Sequence, residues 1–275
     1  MSKENTAVTK KKMKRCKEDV VFDAACFIIL TLVLFVVAYP LYWVIISSIS
    51  APSAVSSGKV LLHPIGFTLK GYAEVFKNDQ VMRGFLNSLI ITFCGVMVNL
   101  IVTLPTSYAL SRSNFSGKKP ITIFYLITMF FGGGLIPTYL VIQRLQMLNT
   151  IWALILPGCL SVYNMIVART FFKSNISEEL YEAAEIDGCT QARFFFQIAL
   201  PLSKAIIAIL VLYYGVGHWN SYFSALVYIS DKAKYPLQLV LRNILITNQT
   251  ALSQTATTAA ARAALKKKQQ LIDVM

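Results

Sequence analysis

Long uncharged apolar runs dominate the pattern of hydrophobic and polar positions along this chain. Four of these runs contain no Asp, Glu, Lys or Arg, and a fifth contains only Arg169, near its end. Each run reaches the length of about 20 residues that a helix needs to cross the hydrocarbon core of a bilayer. Soluble core helices rarely continue so far without a charge. The pattern therefore predicts five transmembrane helices, at residues 24–49, 86–110, 121–142, 151–172 and 206–230.

The composition supports a membrane protein over the alternative, a soluble helical bundle. Hydrophobic residues make up 56% of the 275 residues and charged residues 14%, whereas soluble domains average about 25% charged residues. The first apolar run is too long for a cleaved signal peptide and lacks a small-residue cleavage site, so we interpret it as a permanent anchor. The expected fold class is an all-α membrane protein, a polytopic helical bundle with five visible spans.

Positive charge sets the expected orientation of the chain. The net charge is +13, and basic residues crowd positions 10–17, just before the first span. Nucleic-acid binding is one interpretation of such a run, but beside a membrane span it is more typical of the cytoplasmic side. Threading from this end gives a cytoplasmic tail (residues 1–19), a first transmembrane helix (20–50), an extracellular segment (51–84) and a transmembrane core (85–230).

The last part of the chain fits this threading less well. Residues 231–275 are placed outside as an extracellular loop, yet Lys266, Lys267 and Lys268 would favour the cytoplasmic side. We therefore expect a sixth span beyond the end of this sequence, which would resolve the conflict.

An acidic stretch stands out in the segment 173–205, which the threading places in the cytoplasm. Five of the 13 acidic residues fall within "EELYEAAEID", which begins at Glu178. Asn175 or Ser177 can cap a helix there by accepting hydrogen bonds from free backbone N–H groups. Gly188 can end that helix in a left-handed conformation. The stretch therefore predicts a short helix followed by a sharp turn.

One side of this helix combines small and apolar residues, Leu180, Ala183 and Ala184, with Ile186 beside them. Small side chains let another body approach the helix backbone closely, so the helix suits docking into a groove. A solvated surface helix that only links two spans is the plainer interpretation of the same periodicity. A second helix is predicted in "QARFFFQIAL", and Pro201 interrupts the path from it into the fifth span.

The same stretch resembles the EAA loop of permeases from binding-protein-dependent ABC importers, whose signature is roughly EAAxxDGAxxxxxFxxIxLPxxxP. Cys189 replaces the usual alanine, and Ala205 replaces the last proline, which weakens the expected kink. The segments "FTLKGYAEVF", "FLNSLIIT", "FGGGLIPTYLVI" and "WNSYFSALVYI" are similar to carbohydrate-type permeases, in particular the maltose-permease-like subfamily for complex polysaccharides and oligosaccharides. The matching motif positions are Glu182, Ala183, Ala184, Asp187, Gly188, Phe195, Ile198, Leu200 and Pro201.

The resemblance implies a fold, a function and a set of partners. It implies the type I ABC importer permease fold with six spans, in a subunit that moves an oligosaccharide into the cytoplasm by alternating access. The partners would be a second homologous permease, two cytoplasmic ATPase subunits that use ATP and Mg, and an extracellular solute-binding protein. The chain would lie in a bacterial cell membrane, have no cofactor of its own and not be an enzyme. The residues implied to couple the ATPase to the spans are Glu182, Ala183, Ala184, Asp187 and Gly188.

The residues themselves offer little support for chemistry within the chain. The sequence contains no G-x-x-x-x-G-K-[ST] phosphate loop, its five cysteines form no CxxC pair, and its two histidines, His63 and His218, lie far apart. The alternatives to an ABC importer are an ATP-independent secondary transporter and a membrane scaffold. A secondary transporter would require acids or ion ligands inside the spans, and the predicted spans contain no acidic residue.

Polar and aromatic residues inside the spans are the candidates for a substrate pathway. Such residues are costly in lipid and usually face a cavity or a neighbouring helix, so ordinary contacts between helices are the alternative for each of them. Aromatic faces that pack on sugar rings, together with amides that bond sugar hydroxyls, suit an oligosaccharide. The candidates are Trp219, Asn220, Tyr163, Asn164 and Tyr214.

Two further features of the spans carry expectations. Gly132, Gly133 and Gly134, followed by Pro137, interrupt the third span, and either a gating bend or tight helix packing would explain them. Arg169 lies near the cytoplasmic end of the fourth span, where we expect its side chain to extend to the membrane interface.

Overall fold

The computed structural model describes residues 17–247, and the chain divides into two compact units, Met1–Lys77 and Asn78–Met275. Two regions named above lie outside the described residues: the basic tail before residue 17 and the lysines at 266–268. The expected sixth span stays a prediction. Between residues 17 and 247 all regular secondary structure is helical, in agreement with the expected all-α class.

The first unit contains one long apolar helix and two short helices: α1 (Lys17–Ser48), α2 (Pro52–Ser56) and α3 (Lys70–Lys77). α1 includes the first predicted span. Aromatic side chains near its end bond the chain that follows α2. The Tyr42 hydroxyl donates to the Leu62 carbonyl at 2.6 Å, and Trp43 Nε1 donates to the Val60 carbonyl at 2.8 Å. These bonds hold the connection close to the end of the helix.

The second unit is built from eleven helices and short turns between residues 78 and 247. Its first helix begins at Asn78, whose side-chain oxygen accepts from the Gln80 and Val81 N–H groups. A π turn, Phe195–Ala199, joins α10 and α11. The helices are α4 (Asp79–Ser111), α5 (Lys118–Phe130), α6 (Leu135–Arg144), α7 (Trp152–Ile155), α8 (Val162–Asn175), α9 (Glu178–Ile186), α10 (Gln191–Phe194), α11 (Leu200–Leu202), α12 (Lys204–Trp219), α13 (Tyr222–Tyr228) and α14 (Leu237–Thr247).

Two of the predicted spans are single helices, and three are broken. α1 and α4 are each long and apolar enough to cross a membrane. The third run bends by 114° between α5 and α6, and the fourth bends by 52° between Gly158 and α8. The fifth run is not one helix, because α12 ends at Trp219 and α13 begins at Tyr222. The predictions of continuous helices over 151–172 and 206–230 are therefore wrong.

The local sequence explains the two bends. Gly134 has a φ of 84°, in the left-handed region that favours glycine. Among the described residues, a Cβ at Gly132 or Gly134 would meet no atom within 4 Å, so the three glycines form a bend and do not pack tightly against another helix of this part of the chain. At the fourth break, Pro157 lies in a 3-10 turn, Leu156–Gly158, where its missing N–H and fixed φ oppose a continuous helix.

α4 is the central helix of the second unit, and α8 and α12 pack along it. Two of its glycines allow close approach. Gly84 lies against Leu237 and Val240, and Gly95 lies against the ring of His218. Small residues of this kind let helix backbones come together where lipid supplies no hydrophobic force between helices.

Polar side chains of α4 bond the interrupted parts of neighbouring helices. Asn99 Nδ2 donates to the Gly158 carbonyl at 3.1 Å, and Asn99 Oδ1 lies 3.2 Å from His218 Nε2. Nearer the start of α4, Ser88 Oγ accepts from the Leu237 N–H at 2.9 Å. A bilayer offers no water to unpaired backbone groups, so these bonds make the helix breaks tolerable.

The loops of the second unit group at its two ends. At one end, the Asn149 N–H donates to the Tyr228 carbonyl at 2.8 Å, and its side-chain oxygen accepts from the Asp231 N–H at 3.0 Å. At the other end, the Ser113 N–H donates to a Glu178 carboxylate oxygen at 3.1 Å. The predicted threading groups the loops in the same two sets. Which of the two ends faces the cytoplasm stays a prediction.

The contact between Gly95 and His218 gives a direct test of this packing. A Cβ at position 95 would lie 2.5 Å from the His218 ring, so we expect Gly95→Ala to lower the free energy of unfolding by about 1–3 kcal/mol through overpacking. Gly217→Ala is the matched control, since a Cβ there would meet no atom within 4 Å and alanine favours a helix. Thermal unfolding of the detergent-solubilised protein would show a lower midpoint for Gly95→Ala alone; equal midpoints would contradict the packing.

Candidate functional site

The acidic stretch forms the helix α9, with the ends that the sequence predicts. Ser177 Oγ accepts from the Leu180 N–H at 3.3 Å and caps the start of the helix. Asn175 does not provide the cap, because its side chain donates to the Phe171 carbonyl. Gly188 has a φ of 74°, in the left-handed conformation that commonly ends a helix. α9 is therefore a short helix with two fixed ends.

The buried side of α9 is not the side that the sequence predicts to be apolar. Tyr181 and Ala184 are buried and face the interior of the second unit, whereas Ala183 is exposed and Ile186 is 86% exposed. The prediction that Leu180, Ala183 and Ala184 share one side overlooked Tyr181, whose large ring determines which side packs inward. We call Glu182, Ala183 and Ile186 the outer face of α9, since all three are exposed.

The five residues implied to couple the ATPase therefore lie in different surroundings. Glu182, Ala183, Asp187 and Gly188 are exposed, whereas Ala184 is buried. Ala184 can support the helix from below but is not available for direct contact with another protein. The other four residues lie at the surface, together with Ile186.

An aromatic cluster lies beneath α9 and joins it to the long helices. The Tyr181 ring packs edge-on against Phe194, with centroids 5.2 Å apart. Tyr108, near the end of α4, lies 5.0 Å from Phe195 and 5.7 Å from Phe172 of α8. The buried face of α9 is thus continuous with the packing between α4 and α8.

Two arginines join the ends of α4 and α8, and we call them the arginine pair. Arg169 of α8 donates from Nε to the Leu110 carbonyl of α4 at 3.0 Å. Arg112, just after α4, donates from Nη2 to the Ile176 carbonyl, just after α8, at 3.1 Å. Each cation therefore bonds a carbonyl at the negative end of the other helix, an arrangement that the helix dipole favours.

The arginine pair also extends the contact to α9. The Arg169 guanidinium bonds the end of α4, and its expected extension to the membrane interface stays a prediction. Arg112 also lies near the first turn of α9, with Nη1 3.6 Å from a Glu178 carboxylate oxygen. Within the described residues, the end of α4 thus contacts both the beginning of α9 and the cluster beneath it.

The chain reaches α12 through the second helix that the sequence predicts. Thr190 Oγ1 accepts from the Arg193 N–H and caps α10, and the π turn follows. The helical direction then changes by 81° at Ser203, two residues after Pro201. The predicted interruption before the fifth span is confirmed, and it falls slightly later than the proline itself.

The candidate pathway residues fall into a buried group and an exposed group. The Tyr214 hydroxyl is buried, 2.7 Å from Thr103 Oγ1, and accepts from the Ser161 N–H at 3.3 Å. Asn164 is also buried. Tyr163, by contrast, is 55% exposed. Tyr214 therefore has a structural role between α4, α8 and α12, whatever else it contacts.

Trp219 and Asn220 lie at the break between α12 and α13. Trp219 packs edge-on against Phe85, with ring centroids 6.0 Å apart. Asn220 is exposed, donates to the Val216 carbonyl at 2.9 Å and accepts from Gln238 at 3.3 Å. Its amide bonds a free carbonyl in the last turn of α12 and remains accessible at the surface.

Sequence reasoning missed the roles of Asn99 and Arg112. Asn99 is a lone amide in the middle of an uncharged run, and that isolation is the signal that could have identified it. Arg112 carries no such local signal, because its contact with the Ile176 carbonyl depends on the distant end of α8. Among the described residues, no group of three His, Cys, Asp or Glu side chains could hold a metal ion.

Known proteins are similar to this chain over most of its length. No protein-family model matches it. The chain is 38% identical over 225 residues to the polygalacturonan/rhamnogalacturonan transport system permease protein YtcP of Bacillus subtilis (strain 168), covering 82% of this chain and 78% of that protein. It is also 38% identical over 234 residues to Protein LplC of the same bacterium, covering 85% and 79%.

A solved structure shows the same fold. It is a chain in the crystal structure of a bacterial ABC transporter involved in the import of the acidic polysaccharide alginate, with a TM-score of 0.79 and 28% identity over 84% of this chain and 82% of that one. The resemblance inferred from the acidic stretch is thereby confirmed. A membrane location follows from these relatives, as does work with ATPase and solute-binding partners in general. The chain belongs to the family of carbohydrate ABC transport system permeases.

Proposed function

We propose that this permease moves an oligosaccharide derived from a polysaccharide into the cytoplasm by alternating access. Its relatives are named for transport of polygalacturonan/rhamnogalacturonan and of galactooligosaccharides, and the solved structure for import of alginate. The working complex contains a second homologous permease, two cytoplasmic ATPase subunits that use ATP and Mg, and an extracellular solute-binding protein. The N-terminus lies in the cytoplasm, and this chain carries no cofactor of its own. Family membership favours this function over an ATP-independent transporter or a scaffold.

The observation that carries the proposal is the exposed outer face of a firmly held helix. Ile186 is an isoleucine with 86% of its surface exposed, flanked by Glu182 and Ala183. Burial of such a side chain against a partner stabilises a complex by about 1.5–3 kcal/mol. Glu182 adds a charge that would meet basic groups. The outer face of α9 therefore docks on the ATPase, with Asp187 and Gly188 fixing the turn that follows.

We expect changes on the outer face to release the ATPase without unfolding the permease. In a complex co-expressed with its second permease and ATPase, Ile186→Ser and Glu182→Lys should each weaken ATPase retention about tenfold or more. Ile186→Ser removes an apolar contact worth more than about 1.4 kcal/mol, and Glu182→Lys brings like charges together. The measurement is the amount of ATPase that co-purifies with tagged permease.

Glu74→Lys is the matched control for this experiment. Glu74 is an exposed acid of α3, in the segment placed outside the cell, so the same charge change there should leave ATPase retention unchanged. If wild type and both outer-face variants retain equal amounts of ATPase, α9 is not the docking element.

For the substrate pathway we propose that the exposed candidates contact the sugar. Tyr163 and Asn220 have free surface at α8 and at the break after α12, whereas the Tyr214 hydroxyl already bonds Thr103 and Ser161. Trp219 and Asn164 lie beside these positions and are partly or fully buried. The sugar would then meet one aromatic face and one amide at the surface of the bundle.

A pair of tyrosine variants separates contact with the sugar from structural support. Tyr163→Ala should raise the KM for the transported oligosaccharide about tenfold, the loss expected for an aromatic contact of about 1.4 kcal/mol, with little change in melting temperature. Tyr214→Phe should instead lower the free energy of unfolding by about 1 kcal/mol through the lost hydrogen bond and leave KM unchanged. The reverse pattern would place the pathway at Tyr214.

A further inference from the structure

Two side chains of α14 contact the break between α12 and α13, where the sugar contact is proposed. Gln238 Nε2 donates to Asn220 Oδ1 at 3.3 Å. One turn later, on the same side of α14, the guanidinium carbon of Arg242 lies 5.7 Å from the centre of the Tyr222 ring. A cation therefore lies beside the amide and the aromatic ring that follow α12.

The guanidinium of Arg242 is held in place but keeps free donors. Between residues 17 and 247 it contacts the Tyr222 ring and has no hydrogen-bond or ion-pair partner. Its side chain is partly buried, yet none of its nitrogens is among the buried polar atoms that lack a partner in that part of the chain. Its N–H groups are therefore accessible to a molecule at the surface of the break.

The acids near the break leave Arg242 without a counter-ion. Residues 200–247 contain one acid, Asp231, and its carboxylate lies 4.0 Å from Lys234 Nζ. Asp79, at the start of α4, forms no ion pair with Arg242 within the described residues. The surface formed by α12, α13 and α14 thus carries more positive than negative charge, which favours an anionic ligand.

A carboxylate on a sugar is the anion that this arrangement suits. Stacking on the Tyr222 ring covers one face of the guanidinium, and the N–H groups at its edge can form two parallel hydrogen bonds to the oxygens of a carboxylate. The amides of Asn220 and Gln238 beside it can bond hydroxyl groups. A cation, two amides and an aromatic ring on one surface match a ligand that carries both hydroxyls and a carboxylate.

We propose, on the basis of the oligosaccharide transport proposed above, that the transported sugar contains uronic acid residues and that Arg242 binds one of their carboxylates. Arg242 is then a specificity-determining residue, because a neutral sugar leaves its guanidinium without a partner. Tyr222 orients the guanidinium before the sugar arrives, so less conformational freedom is lost on binding.

Equilibrium dialysis of the purified complex of two permeases and two ATPase subunits tests the site without the selectivity of the solute-binding protein. The probes are the trisaccharides of galacturonate, mannuronate and guluronate, each compared with its carboxyl-reduced form, in which the carboxylates have become primary alcohols. We expect at least one uronate trisaccharide to bind about tenfold more tightly than its reduced form, the gain expected for a hydrogen bond between charged groups. Arg242→Gln should abolish this preference. Arg242→Lys, which keeps the charge but loses the planar fork, should retain part of it.

Arg144→Gln is the matched control, because Arg144 is an exposed arginine in the last turn of α6 and its loss should leave the preference unchanged. Equal affinity for the two forms in wild type, absence of binding, or an unchanged preference in Arg242→Gln would overturn the site. Equal weakening of both forms in Arg242→Gln would assign its partner to a carboxylate of another protein subunit and would also overturn it.

Uptake of the same sugars into proteoliposomes with the complete complex and its solute-binding protein tests the proposed function separately. Uptake that does not depend on Arg242 leaves oligosaccharide transport standing and rejects this site. Uptake of none of these sugars would contradict oligosaccharide transport itself.

Discussion

Interrupted helices inside a bilayer need partners for their free backbone groups, and in this permease α4 supplies them. The medium around the spans contains no water to bond an exposed N–H or C=O. Asn99 bonds the Gly158 carbonyl at the break before α8, and Ser88 bonds the first N–H of α14. The Tyr214 hydroxyl, held by Thr103 of α4, accepts from the Ser161 N–H at the start of α8. α4 remains one uninterrupted helix while the segments around it bend.

The same helix connects the membrane-spanning bundle with α9. At its end, the arginine pair bonds one carbonyl in the last turn of α4 and one just after α8, and Tyr108 belongs to the aromatic cluster beneath α9. Hydrogen bonds to charged groups are stronger than those between neutral groups. The packed aromatic rings also resist movement of α9 relative to α4, because such movement would lose their contacts. A force applied to the outer face of α9 would therefore reach α4 and α8 together.

The sequence predicts the parts of this arrangement that depend on local chemistry. The apolar runs identify α1 and α4, and the EAA-like stretch identifies the family. Gly188 identifies the end of α9, and Ser177, one of two predicted caps, identifies its start. The breaks in the fourth and fifth runs were not predicted. Pro157, Asn220 and Ser221 are ordinary residues in a membrane sequence, and only the tertiary partners of the freed backbone groups show that the helices end there.

Features that depend on distant residues could not be predicted in the same way. Tyr181 determines which side of α9 is buried only because Phe194 lies across from it. The bond from Arg169 to the Leu110 carbonyl depends on the end of α4, which lies 59 residues earlier in the chain. Periodicity describes one helix at a time, whereas these contacts join two or three.

The most direct test of the account is whether α9 and the end of α4 move as one body during transport. Spin labels at Asn114, in the loop after α4, and at Glu185, on α9, are both exposed positions in the second unit. Their separation is measured by pulsed electron resonance in the complex without nucleotide and in the ATP-trapped state. The account predicts a change below about 2 Å, the scale of small shifts within packed helices. A change of about 5 Å, one helical turn, would show that α9 slides over α4 and would contradict the account.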